Sequence, residues 1–123
     1  MIDIKLILLI LLVHWFADFV MQSDEEARNK HKNIERLVDH TFSYSATWFF
    51  VSMAIMFVWN LPPKFLWFAP ITFVFHTLTD YYTSKINHSY YRRNRIHSFF
   101  VSVGFDQWLH YVQLFLTYWW LSK

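Results

Sequence analysis

The sequence contains no cysteine, which removes disulfides, thiolate metal ligation and cysteine nucleophiles at once. Glycine is nearly missing too, with one residue in 123, and there are only three prolines. A chain so poor in both is neither disordered nor a string of domains on flexible linkers. Charge is scarce, at 16% of residues, and the formal net charge is only +2, so no nucleic-acid partner is expected. What remains is apolar: 55% of the residues are hydrophobic and 23% aromatic. At this length one domain, residues 1–123, is expected.

Four apolar stretches stand out, at 4–22, 41–61, 65–84 and 98–121. Each approaches the ~20 residues that cross a bilayer. Asn60, Pro62, Pro63 and Lys64 make a tight break between the second and third. Residues 23–39 and 85–97 are polar and charged and read as surface connections. The first should hold a short helix capped by Ser23, with Glu26 three residues on. The fold expected is all-α: an integral membrane bundle of four transmembrane helices.

Basic residues set the orientation. One connection carries Arg28, Lys30, Lys32 and Arg36, and the other Lys85, Arg92, Arg93 and Arg95. The opposite side has only Lys5, Lys64 and Lys123. Both connections are therefore expected in the cytoplasm and both termini outside, with Trp59, Trp67, Trp119 and Trp120 at the outer boundary. A cleaved secretory signal would show small residues after the first apolar run, where His14, Trp15 and Asp18 stand instead. A soluble bundle would need a polar face on each helix, which 41–61 and 98–121 lack.

Within these stretches three histidine–aspartate pairs recur at four-residue spacing: His14/Asp18, His76/Asp80 and Asp106/His110. The order reverses in the last. In a bundle of alternating direction, that reversal aligns all three pairs into an imidazole layer and a carboxylate layer one turn apart. Polar stripes extend the pattern: Gln22 in the first span, Thr72 and Thr83 in the third, and Ser98, Ser102, Gln113 and Thr117 in the fourth. His40 opens the second, followed by Ser43 and Thr47, and His97 opens the fourth. Gly104, near Asp106, suggests close approach of another helix. The cluster is expected in the inner leaflet, below the headgroups.

A carboxylate inside hydrocarbon costs about 2.5–3.5 kcal/mol on insertion scales. Interhelical polar contacts return only about 0.6 kcal/mol each, so mutual hydrogen bonding is a weak reason for three of them. A cation cluster is a stronger one. His14, Asp18, His40, His76, Asp80, His97, Asp106 and His110 are the candidate ligands, and Gln22 and Gln107 the residues that orient them. Nitrogen and oxygen donors without sulfur suit zinc first, with manganese or iron as alternatives. So many ligands favour one or two ions, with a bridging carboxylate in the second case. Such a pair activates water near neutral pH, and Asp18, Asp80 and Asp106 are the candidate catalytic carboxylates. Lys85, Arg92, Arg93 and Arg95 are candidates for holding a phosphate or lipid headgroup, although topogenesis and anionic-lipid contact explain them equally. His31, His88, Asp3, Asp24, Glu25 and Glu26 read as surface residues.

The strings HWFADFVMQ at 14–22, HTLTDYYTSKI at 76–86 and HSFFVSVGFDQWLH at 97–110 fall around Asn29, Lys30 and an isolated His40. Together they resemble the domain-of-unknown-function family 3307, small polytopic membrane proteins of bacteria and phages. The family pattern falls on His14, Asp18, Gln22, His40, His76, Asp80, His97, Asp106, Gln107 and His110. The resemblance implies a multi-pass protein of the bacterial inner (cytoplasmic) membrane and supports the site, not a reaction. A looser likeness links the chain to membrane-bound metal-dependent hydrolases, whose local signatures it lacks.

Three functions remain open. The first is a metal-dependent hydrolase of a phospholipid, lipid-linked or phosphoester substrate. The second is a metal-ion or proton transporter, disfavoured by the wholly apolar outer half of the first span, 6–13. The third is a phage or bacterial membrane effector whose metals only fix the bundle. The expected partners are the bilayer and its anionic phospholipids, with the chain a monomer or a small homo-oligomer.

Overall fold

Glycine scarcity shows first in how the helices end. The computed structural model describes residues 3–123, which are all-helical with no strands among them. Helix α1 (Ile4–Trp15) runs into a π-helical turn (Phe16–Val20). The short α2 (Asp24–Asn29) follows, then α3 (Ile34–Val58), a 3-10 turn (Pro63–Trp67), α4 (Phe68–Arg92) and α5 (Ile96–Leu121). Both α3 and α4 stop at an asparagine with positive φ, 51° at Asn60 and 56° at Asn94. The next amide then reaches back into the last turn, Leu61 N to Met56 O at 2.9 Å and Arg95 N to Tyr90 O at 3.0 Å. This is the Schellman closure, with asparagine in the place glycine usually takes.

Side chains set the starts. Asp3 caps α1 and also accepts a hydrogen bond from Trp59 Nε1 at 2.8 Å, which ties the beginning of α1 to the end of α3. Asp3 is thus a structural residue, not simply a solvated one. Asn33 caps α3. Ser23 and Glu26 form the expected reciprocal capping box on α2. A Ser23→Ala variant should lose about 1 kcal/mol of local helix stability. Hydrogen exchange should report it as faster exchange of the α2 amides alone.

Helix bounds differ from the apolar stretches. α3 begins seven residues before 41, and α4 continues eight residues beyond 84. The polar connection expected at 85–97 is therefore mostly helix, closed by a turn at 93–95. Hydropathy locates only the apolar part of a helix, while the helix itself runs to its caps. By length and composition, one helix among the described residues qualifies to cross a membrane, Ile34–Val58. α1 alone has 12 residues, and α4 and α5 are diluted by their polar stripes.

α4 packs between α3 and α5. α1 completes the bundle through buried Leu6, Ile10 and His14. The core near the 59–67 turn is apolar and aromatic: Trp48, Phe65, Phe68 and Leu114 pack there. Toward the other end the interior turns polar. Among the buried residues, polar and charged side chains outnumber hydrophobic ones, while phenylalanines such as Phe42, Phe50, Phe57 and Phe100 face outward. Gly104 does not mark a close helix contact: a Cβ there would meet nothing within 4 Å.

Candidate metal centre

Helical periodicity carries His76 and Asp80 into the bundle from α4, and Asp106 and His110 from α5. Asp18 comes from the π-helical turn, whose wide Met21 N to Phe16 O bond measures 3.0 Å. Such turns occur often at functional sites. Here Asp18 Oδ1 lies 3.0 Å from His40 Nε2 and 3.4 Å from His76 Nε2. His40 enters from the first turns of α3.

Asp18, His40, His76 and Asp80 form one buried group of converging donors. Its separations are 3.0 and 3.3 Å from His40 Nε2 to Asp18 Oδ1 and Asp80 Oδ2. They are 3.4 and 3.6 Å from His76 Nε2 to the same two oxygens, and 3.3 Å between the two nitrogens. A tetrahedron of ligands at 2.0–2.1 Å from zinc has edges of about 3.3 Å. Hydrogen bonding explains the arrangement less well. A ring nitrogen has one proton or one lone pair, yet His40 Nε2 has three polar neighbours within 3.3 Å.

Asp80, Asp106 and His110 form a second group. His110 Nε2 is 3.1 Å from Asp80 Oδ1 and 3.4 Å from Asp106 Oδ1. Asp80 thus gives one oxygen to each group, the geometry of a bridging carboxylate. Thr83 donates its hydroxyl to Asp106 Oδ1.

Residues around the groups hold them in place. Gln107 Oε1 accepts from His14 Nε2 at 2.8 Å, and its amide NH₂ donates to Asp18 at 3.1 Å and Asp106 at 3.2 Å. Tyr44 stacks on His76 with centroids 3.8 Å apart, and His76 stacks on His110 at 4.2 Å. Nδ1 of His76 and of His110 has no hydrogen-bond partner. Stacking therefore orients these two rings, where ligating histidines commonly use a second hydrogen bond.

Several expected residues lie outside the two groups, His14 among them although its Nε2 is 3.7 Å from Asp18 Oδ2. His14 belongs to neither group: its nitrogens are engaged by Tyr44 at 2.7 Å and Gln107 at 2.8 Å. His97 is exposed at the start of α5 and joins neither group. The face of α3 is also one position off the expected stripe, since Tyr44 and Trp48, not Ser43 and Thr47, continue from His40. Lys85, Arg92, Arg93 and Arg95 are exposed, with Lys85 Nζ over the Tyr81 ring and Arg95 facing Tyr90.

The cation at the site is instead Lys30, whose Nζ is 2.8 Å from Asp80 Oδ2. Burial on its own would lower its pKa, but the charges of Asp80, Asp18 and Asp106 raise it above the ordinary lysine value. Nothing in the spacing of Lys30, fifty residues before Asp80, announces this pair.

A cavity of ≈ 610 Å³ opens onto Asp18, Asp106 and Gln107. Arg28, Lys30 and Gln22 line it from the 20–31 segment, and Ser84 and Asn87 from α4. His31 and His88, expected to be separate surface residues, stack at its rim with centroids 3.6 Å apart.

Over residues 6–123 the chain matches the family model described as Protein of unknown function (DUF3307). The chain belongs to this family. No curated protein and no solved structure matches it. The match covers every residue of the two donor groups and the whole lining of the cavity.

Proposed function

We propose that this DUF3307 protein is a membrane-embedded four-helix bundle that binds two divalent cations, zinc foremost, and hydrolyses a phosphoester. The observation that carries this reading is the set of five donor separations around Asp18, His40, His76 and Asp80, all between 3.0 and 3.6 Å. One cation satisfies all four donors together, and Asp80 extends the arrangement to a second. Bound cations supply Lewis acidity and activate water at neutral pH.

The chain's own groups divide the remaining work. Asp80 is fully committed between the two positions. Asp106 is the most accessible of the three carboxylates, with a side chain 11% exposed against 5% for Asp18 and 3% for Asp80. It also lines the cavity, so it is the group placed to accept a proton from an attacking water. Gln107 fixes Asp18 and Asp106 relative to each other.

The membrane reading is supported by the inverted surface. Soluble proteins rarely expose contiguous apolar patches beyond a few hundred Å². Here aromatic and aliphatic side chains face outward on every long helix, while the carboxylates of Asp18, Asp80 and Asp106 lie inside. With the basic connections in the cytoplasm, the cavity opens inward at the level of the inner leaflet of the bacterial inner membrane.

Transport finds one supporting feature, a polar layer beyond the site in which Gln113 Nε2 donates to Thr72 at 3.1 Å and Thr117 at 3.0 Å. Beyond it, however, Trp48, Phe65, Phe68 and Leu114 fill the bundle. A pocket entered from one side suits hydrolysis better than passage.

Elemental analysis of detergent-purified protein tests the cation site. Wild type and His97→Ala should carry equal zinc, and His76→Ala should lose at least the first equivalent. Equal metal in all three would remove the basis of the proposal. Zinc-loaded protein is then assayed on soluble and lipid phosphoesters. Turnover should be present in wild type and absent in Asp106→Asn, and no turnover by the loaded wild type would refute the hydrolase.

A further inference from the structure

Eight buried side-chain atoms lack a hydrogen-bond partner among the described residues, and three of them line the same cavity: Ser84 Oγ, which can donate, and Gln22 Oε1 and Asn87 Oδ1, which only accept. Buried polar groups are normally paired, so unpaired ones collected on one cavity point to a polar ligand. Ser84 is only 8% exposed, so bulk water does not account for its hydroxyl. Arg28 lines the cavity and forms no ion pair among the described residues. Lys30 is beside it, engaged with Asp80.

Resting on the metal-centre reading above, we infer that this cavity is a phosphate-binding site, with Arg28 and Lys30 as its charged contacts and the Ser84 hydroxyl as its neutral donor. This is a different place from the exposed cluster of Lys85, Arg92, Arg93 and Arg95, none of which lines the cavity. Arginine, lysine and a hydroxyl all donate and so match a tetrahedral oxyanion. The far wall is apolar, formed by Phe19, Phe99 and Val103. The space is also much larger than one phosphate needs. The ligand is therefore a phosphate ester with an organic part resting on that wall.

Charge makes the site conditional. Asp18 and Asp106 also line the cavity, and as bare carboxylates they repel an oxyanion. Cations on these aspartates invert the local sign. They also take Asp80 from Lys30, whose ammonium is then free to meet the phosphate. Phosphate and metal should accordingly bind with positive coupling, each tightening the other by the same factor.

The test uses full-length protein in detergent, loaded with zinc, desalted, and titrated with inorganic phosphate by calorimetry. Saturable binding should appear in loaded protein and vanish after chelator treatment. Arg28→Gln should weaken it tenfold or more with zinc content unchanged, and Arg28→Lys should restore part of the loss. Arg93→Gln should bind as wild type does. Ser84→Ala should weaken binding by a smaller factor. A water-soluble phosphomonoester and a monoacyl glycerol phosphate in micelles then distinguish the sources. Tighter binding of the second assigns the apolar wall to an acyl chain, and equal binding assigns it to a soluble ester. Loaded wild type that binds neither phosphate nor either ester overturns this inference while leaving the metal centre intact. So does an Arg28→Gln variant that binds phosphate as tightly as wild type. A protein that takes up no zinc overturns the metal-centre reading itself.

Discussion

Asparagine in place of Asp80 should empty both cation positions together. The two oxygens of Asp80 serve different partners, Oδ2 lying 3.3 Å from His40 Nε2 and Oδ1 lying 3.1 Å from His110 Nε2. An amide keeps one oxygen, carries no charge, and turns an NH₂ toward whichever group loses the acceptor. Disturbing groups behind a ligand already costs 10–100-fold in metal affinity. Loss of a shared ligand should exceed about 100-fold at each position, the upper end of that range. Purified Asp80→Asn should therefore retain no zinc through gel filtration, while Asp106→Asn keeps the first equivalent. One equivalent persisting in Asp80→Asn would show that the carboxylate does not bridge.

Lys30 gives the second large effect, with the opposite sign. Its ammonium holds Asp80 Oδ2 at 2.8 Å, the same oxygen that faces His40 and His76 and that the proposed first cation would need. A hydrogen bond to a charged group contributes about 1.5–3 kcal/mol. Each 1.4 kcal/mol is a factor of ten in affinity. Removing this competitor in Lys30→Met should raise zinc affinity by about one to two powers of ten. The metal-free variant should also melt at a lower temperature than metal-free wild type, because buried Asp80 then loses its ammonium partner and Asp18 and Asp106 lose a nearby positive charge. Competition against a chromophoric chelator measures the first effect and thermal unfolding the second. Weaker zinc binding in Lys30→Met would mean that the lysine builds the site and does not compete for it.

The donor groups were legible because helix geometry writes itself into spacing. His76/Asp80 and Asp106/His110 lie four residues apart, and the reversed order in the second pair suits the antiparallel crossing of α4 and α5. The π-helical turn left no such mark, because FADFV at 16–20 has the composition of any apolar helix. His14 fits the same spacing rule as its neighbours, yet Tyr44 and Gln107 claim both of its nitrogens. Tyr44 itself was readable as the residue four after His40, but an aromatic side chain does not stand out in a chain so rich in them. The contacts of Lys30 and Arg28 at the site were hidden for another reason. Their contacts come from the path of the 20–33 segment across the bundle end, and local periodicity says nothing about how a connection folds back.

The link between α4 and α5 is three residues long and locked by the left-handed backbone of Asn94. The hydrogen bond from Arg95 N to Tyr90 O closes it tightly. The stretch between the π-helical turn and α3 is built otherwise: its helix has six residues and buries none of them. Local opening draws on the least anchored parts of a structure. The positive charges of Arg28 and Lys30 ride on this stretch, so any opening of it would carry them away from the cavity.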